Sequence, residues 1–199
     1  MVYVGQVEIP ERELTTLEYV ILSFLALKPQ SGYTILNNLE TGVYRASAST
    51  GSVYPVLKRL ETGGLITSTI EAVYETRARK MYSLLPAGEQ RMDNWLRQPP
   101  AMAEVIEEYD IALHKFLIAS YRLSQAEVLD WLANYEAVTR AALAMRTAIA
   151  SVSDHELRAS PHVELINQSL KMETETRLTW IHLAQARLHI VPDRVERSE

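Results

Sequence analysis

Pro55 and the pair Gly63-Gly64 constrain the fold of this chain more tightly than any other residues in it. They punctuate the run Gly51-Ser52-Val53-Tyr54-Pro55-Val56-Leu57-Lys58-Arg59-Leu60-Glu61-Thr62. Proline lacks an amide proton and is best tolerated in the first turn of a helix, where that donor has no intrahelical partner. A helix is therefore expected to begin near Gly51 or Ser52. Glycine is the cheapest residue for a left-handed cap, so Gly63 and Gly64 end it. Between these limits Val53, Val56, Leu57 and Leu60 recur at helical spacing and form one apolar stripe. Ser52, Tyr54, Pro55, Lys58 and Arg59 are left on a short, polar, basic outer face. Such a face is either the solvated side of an ordinary amphipathic helix or the groove-facing side of a DNA-reading helix, whose N-terminal residues approach base edges.

The surroundings favour the second reading. Upstream, Leu14, Leu17, Val20, Ile21, Phe24 and Leu25 give a helix that must stop before Lys28-Pro29, because the residue preceding proline is pushed out of the α region. Ser31 is placed to cap a second helix from Gly32 to about Leu39, and Gly42 breaks it. Downstream, Leu65 to Val73 and Arg79 to Leu84 have the β-branched and aromatic content of two strands, joined through Tyr74-Glu75-Thr76-Arg77-Ala78. Pro86, acceptable at a first helical position, opens a fourth helix running to Arg97. Three helices, a two-stranded wing and a fourth helix are the order of a winged helix-turn-helix.

This half resembles the PadR family of bacterial transcriptional regulators. The resemblance is carried by Leu17 through Leu27 with Ser31-Gly32-Tyr33, by Gly51 through Glu61 with Gly64-Leu65-Ile66, and by Arg77-Ala78-Arg79-Lys80-Met81-Tyr82 with Gly88. It implies that the third helix and the wing hold operator DNA. Ser52, Tyr54, Pro55, Lys58 and Arg59 would approach the major groove and its phosphates, Tyr33 and Ser49 the backbone, and Arg77, Arg79 and Lys80 phosphates or the minor groove. Two positions depart from the family pattern: Ala78 stands where the wing usually carries glycine or proline, and Leu85 where a threonine usually precedes the fourth helix. The second departure removes an N-cap, a loss of about 1 kcal/mol at that helix end.

Net charge is −5, which argues against indiscriminate attraction to nucleic acid, yet the excess is unevenly placed. Residues 1–97 carry ten basic and ten acidic side chains, and residues 98–199 carry ten and fifteen, so the whole deficit lies in the second half. The cations Lys58, Arg59, Arg77, Arg79 and Lys80 cluster on the helix and wing. No cysteine is present, which excludes disulfides and thiolate chemistry. No apolar run approaches the roughly 20 residues that a membrane span needs, and the expected location is the cytoplasm.

Gln98-Pro99-Pro100 divides the chain into an expected DNA-binding domain, 1–97, and an expected helical dimerisation domain, 98–199. Three antiparallel helices are expected in the latter. The first carries Met102, Ile106, Tyr109, Leu113 and Phe116. The second, capped by Ser124, carries Val128, Trp131, Tyr135, Val138, Ala142, Met145, Ile149 and Val152 in an alternation of three and four, the seam of a coiled-coil-like packing. The third, Pro161 to Val191, answers with Leu170, Ile181, Ala184, Leu188 and Val191. A second helix roughly 40 Å long at 1.5 Å per residue cannot bury its seam in so small a domain, so a homodimer is expected, with Trp131, Tyr135, Val138, Met145, Ile149, Ile181 and Leu188 at or behind its interface. In the third helix Glu173 to Arg177 interrupts the stripe, and this turn is expected to face water. The second half is similar to the all-helical C-terminal domain of longer PadR proteins, the virulence-activator-like subgroup, on the strength of Asp110 through Phe116 and Leu178-Thr179-Trp180-Ile181. That resemblance implies a helical arm exchanged between protomers.

Five histidines are present: His114, His155, His162, His182 and His189. The pairs Asp110 with His114 and His182 with His189 share helix faces but lack the third and fourth ligands of a zinc site, so no metal is expected. Adjacent carboxylates such as Glu107-Glu108 diverge on a helix, and phosphate loops, serine elbows and dinucleotide fingerprints are missing, so neither an enzyme nor a cofactor is expected. Members of the resembled family respond to phenolic acids or drugs; by that resemblance Tyr109, Phe116, Trp131, Tyr135 and Trp180 would line a pocket for a small aromatic effector, although aromatics at seam positions are more often core. The expectation is a dimeric regulator, most simply a repressor, on a pseudo-palindromic operator of double-stranded DNA. A winged-helix module that binds only protein, and a metal or small-molecule sensor with little DNA affinity of its own, are the alternatives.

Overall fold

Thr15 opens the first helix with a reciprocal cap: its hydroxyl accepts from the Glu18 amide, and the Glu18 carboxylate accepts from the Thr15 amide. In the computed structural model, which describes residues 12–44, 50–74, 77–152 and 160–190, this helix, α1, spans Thr16–Leu27. It ends at an extended Lys28, as the following proline requires. The Ser31 hydroxyl accepts from the Thr34 amide at 3.2 Å and so starts α2 (Gly32–Thr41), which stops just before Gly42. Then come α3 (Thr50–Thr62), the strands β2 (Ile66–Tyr74) and β3 (Arg77–Leu84), and α4 (Pro86–Arg97).

Three details differ from expectation. Helix α3 reaches back to Thr50, so Pro55 sits in its second turn rather than its first. The bond lost is the one Gly51's carbonyl would have accepted, and because Gly51 is exposed, water can take its place. The segment expected as a loop, Tyr74 to Ala78, is mostly strand: Ala72 pairs with Ala78 and Tyr74 with Arg77, an irregularity at Val73 absorbing the extra residue. Glu75 and Thr76 lie outside the described residues. A two-residue strand that the sequence does not announce, β1 (Gln30–Ser31), pairs with β3 through Gln30 opposite Tyr82 and Ser31 opposite Met81, giving an antiparallel sheet in the order β1-β3-β2.

Contacts divide the chain into two compact units, residues 1–38 with 46–92 and residues 39–45 with 93–199. In the first, Ile21 and Leu22 of α1, Ile35 of α2, Val53, Leu57 and Leu60 of α3, Ile66 of β2 and Met92 of α4 are buried together. The end of α3 is a Schellman turn: Gly64, at φ 68, donates to Glu61, and Leu65 donates to Leu60. Gly88 lies on the first turn of α4, and a Cβ there would meet the Leu65 carbonyl oxygen at 2.2 Å.

In the second unit the single helix expected over Met102 to Phe116 is two, α5 (Met102–Ile106) and α6 (Tyr109–Arg122). The amides of Glu107 and Glu108 both turn back to Ala103's carbonyl, closing α5. The break lets Glu104 fold onto Lys115 at 2.6 Å, a pair almost wholly buried, with the ammonium 4.8 Å from the Trp95 ring centre. Ser124 and Glu127 cap α7 (Gln125–Val152), and α8 (Pro161–Ile190) packs along it. Along α7, Val128, Trp131, Leu132, Tyr135, Thr139 and Ala142 are buried. The turn Glu173–Arg177 does not simply face water: Thr174 and Arg177 are buried, while Glu173, Glu175 and Thr176 are exposed. Thr174 bonds back to the Leu170 carbonyl and accepts from Arg146, and the Arg177 guanidinium lies 4.7 Å from the Tyr109 ring centre.

His114 of α6 is 2% exposed, edge-on to Tyr44 with ring centroids 6.3 Å apart. Burial holds its pKa down at about 4, against 6.5 for the free side chain. An unfolded chain therefore takes up this proton below about 6.5 and the folded chain only below about 4, so stability falls as pH drops through that window. Between pH 7 and 5 the expected loss is about 2 kcal/mol. Urea unfolding at the two pH values should show His114→Gln losing that much less than the parent; an equal loss in both would contradict the assignment.

Candidate nucleic-acid interface

The outer side of α3 is assembled from residues that the buried stripe leaves over. Tyr54, Pro55, Lys58, Arg59 and Thr62 are exposed, and Ser52 is half-buried. A Cβ on Gly32 would stand 2.8 Å from Tyr54 Cε1, so the Tyr54 ring lies against the start of α2, beside Tyr33. Tyr33 is 74% exposed. Two phenols and a proline edge thus share one surface with Lys58, which has no partner among the described residues.

Other expected contacts are held by acids. Arg59 Nε donates to Glu18 at 3.2 Å, and Arg12 donates to the same carboxylate at 2.7 Å. Glu18 is fully buried; burial alone would raise its pKa, but the bonds from Arg12, the Thr15 amide and Arg59 outweigh it and hold the group at about 2. Lys80 Nζ reaches Glu61 at 2.9 Å and lies 5.0 Å from the Tyr82 ring centre, while Glu61 also accepts from the Ser68 hydroxyl. Bonds from Ser68 and Lys80 lower the Glu61 pKa, and the bond to Glu61 raises that of Lys80. Arg79 stands 3.9 Å from Glu71 on the exposed hairpin, a pair too open to be tight. Ser49 lies outside the described residues, and of Arg77 only the backbone, in β3, is described.

The structure therefore brings Tyr33, Tyr54, Pro55 and Lys58 onto one face and leaves Arg59 and Lys80 there in ion pairs. Sequence reasoning missed Glu18, Arg12 and Arg91. The Thr15-x-x-Glu18 capping pattern was a readable signal for Glu18's position. For Arg91, whose guanidinium reaches the Arg12 carbonyl at 2.6 Å from 79 residues away, no local signal exists.

Three helices, a β-hairpin wing and a basic, aromatic outer face on the third helix make this unit a winged helix-turn-helix. Residues 21–94 match the family model described as "Transcriptional regulator PadR-like family". The curated "Negative transcriptional regulator PadR" of Bacillus subtilis (strain 168) is 29% identical over 113 residues, which take in 56% of this chain and 58% of that protein. The crystal structure of Bacillus subtilis PadR in complex with operator DNA is 25% identical, covering 87% of this chain and 99% of that one at a TM-score of 0.43. The same protein in complex with p-coumaric acid is 25% identical, covering 88% and 99%, at a TM-score of 0.39. Residues 21–94 are a PadR-like transcriptional-regulator domain.

The dimerisation residues expected from sequence divide by burial. Trp131, Tyr135 and Ile181 are buried within one chain, Val138 and Leu188 are half-buried, and Met145 is 41% exposed; the side chain of Ile149 is outside the description. Along α8, Leu165, Ile166, Met172, Leu183 and Ile190 are more than half exposed. No described helix is long and apolar enough to cross a membrane.

Proposed function

We propose that this chain is a cytoplasmic, sequence-specific DNA-binding regulator that acts as a homodimer, most simply as a repressor. One observation carries the DNA reading: Lys58 stands without a protein partner among the described residues on the same α3 face as Pro55 and Tyr54, next to the exposed Tyr33. Tyr33, Ser49, Ser52, Tyr54, Pro55, Lys58 and Arg59 are assigned to the major groove and its phosphates, and Arg77, Arg79 and Lys80 to the strand beside the wing. Arg59 and Lys80 would exchange their carboxylates for phosphates or stay to position the helix and hairpin. The acidic second half would then limit attraction to arbitrary sequence. The name of the Bacillus subtilis relative, a negative regulator, agrees with repression.

The dimer reading is supported by the exposed apolar residues of α8 together with Met145 of α7, a surface that a second copy would cover. An effector reading is supported by four buried polar atoms without partners among the described residues: Glu104 Oε2, Trp131 Nε1, the Tyr135 hydroxyl and Arg177 Nη1. Tyr135 is coupled electrostatically to Arg177, Tyr109 and Glu104, and its ring centroid is 5.2 Å from that of Trp131. Burial pushes the Tyr135 phenol well above its ordinary pKa, so it stays a hydrogen-bond donor. Leaving such atoms unpaired costs about 1–3 kcal/mol each, a cost that a small molecule with donor and acceptor groups would relieve.

The test is a mobility-shift titration of the full chain against its own upstream DNA at several salt concentrations. Retention of a two-fold site with half-sites about one helical turn apart is expected. Lys58→Ala should weaken binding and reduce the slope of log affinity against log salt by about 0.9, the loss of one phosphate contact. An unchanged slope removes Lys58 from the interface. Failure to retain any upstream fragment at low salt would leave the protein-interaction reading in its place.

A further inference from the structure

Beside α3, in the winged unit, lies a groove of about 740 Å³ whose lining includes Leu14, Leu60 and Leu65 as floor and Arg12, Lys58, Arg59 and Arg91 as rim. The three leucines are less than a tenth exposed, so the floor is apolar, and no acidic side chain lines the groove. The nearest compensating charge is Glu18, which Arg12 and Arg59 share. Four cations against that one carboxylate leave three positive charges in excess around an apolar surface. A nucleic-acid backbone matches the rim but offers nothing to the floor. A neutral apolar molecule matches the floor but leaves the rim uncompensated. The volume lies in the range of small-molecule sites, about 300–1,000 Å³.

We infer that this groove binds an amphipathic organic anion, its apolar body on Leu14, Leu60 and Leu65 and its carboxylate or similar head among Arg12, Lys58 and Arg91. Lys58 and Arg59 are also assigned to the DNA face, so an occupied groove competes directly with the operator for the same cations. The competition rests on the DNA reading above; the binding itself does not. An oxyanion head accepts charge-assisted hydrogen bonds from the rim guanidinium groups, while the alkyl body removes leucine surface from water. This route to release of DNA needs no change of shape in the protein.

The full chain titrated with octanoate by calorimetry should bind it with a millimolar or tighter constant, and octanol, the neutral counterpart, about tenfold more weakly. Arg91→Gln removes a rim cation outside the DNA-facing set, and Thr62→Trp fills the groove mouth from an exposed position. Each should weaken octanoate by about tenfold without a shift in melting temperature or DNA affinity. Octanoate should raise the apparent dissociation constant for DNA in the parent and not in Thr62→Trp. Absence of octanoate binding at millimolar concentration, equal binding of octanol, or binding unchanged in both variants would overturn the site, the last by placing the ligand on apolar faces elsewhere. Octanoate binding that left DNA affinity untouched would overturn the competition, and a chain that bound octanoate but no DNA would overturn the regulator reading while the groove stood.

Discussion

Lys115→Met is expected to destabilise the helical unit by about 3–5 kcal/mol, whereas Lys115→Met combined with Glu104→Leu should cost little or even stabilise it. The reason is the desolvation of the Glu104–Lys115 pair, whose side chains are 12% and 2% exposed at 2.6 Å. Removing the ammonium alone leaves a carboxylate in a setting without water or counter-charge, and one of its oxygens already lacks a partner among the described residues. Removing both charges exchanges an ion pair that roughly breaks even for apolar contact with the Trp95 ring over which the lysine lies. Denaturant unfolding of the parent, the two single variants and the double variant measures this cycle. Single variants that lost less than about 1 kcal/mol would show that water reaches the pair.

Gly88→Ala should cost about 3 kcal/mol, the upper end of overpacking penalties, and lower the melting temperature of the winged unit by more than about 10 °C. The new methyl would sit 2.2 Å from the Leu65 oxygen, 2.9 Å from Leu84 Cδ1 and 3.1 Å from the Leu65 carbonyl carbon. Backbone cannot swing aside as the end of a flexible side chain does. That same Leu65 oxygen accepts from the Leu85 amide at 3.0 Å, so relief at Gly88 would pull apart the join between the hairpin and α4. Gly64→Ala is the calibrating variant: it has open space around it and loses only the left-handed backbone preference, about 1 kcal/mol. A Gly88→Ala chain melting no lower than Gly64→Ala would show that α4 can shift freely on Leu65.

The parts of this fold that could be read from the sequence are those decided within a few residues. Lys28 before Pro29, the Ser31 cap, the left-handed Gly64, Pro86 at the start of α4 and Ser124 at the start of α7 each act through neighbours in the chain. β1 was illegible because two residues have no periodicity of their own and become a strand only by pairing with β3, some 50 residues later. The break between α5 and α6 was hidden because Ile106 and Tyr109 continue a helical stripe and neither glycine nor proline marks the stop. The DNA-facing surface was half legible. Periodicity put Lys58 and Arg59 outside, correctly, but that Arg59 would be tied to a buried acid 41 residues away depends on how α1 and α3 meet. Lys80 was read as a phosphate contact from charge alone, and its engagement with Glu61 follows from the end of α3 lying beside the sheet.

Residues 39–45, between α2 and α3, pack with the helices of the second half, where the Tyr44 ring meets His114. A fragment ending at Arg97 would carry Tyr44 without the imidazole it rests on. Transplanting this winged head onto another regulator's arm is therefore a two-joint graft, and a chimaera cut only at the Pro99-Pro100 hinge would bring along a short tongue whose socket stayed behind.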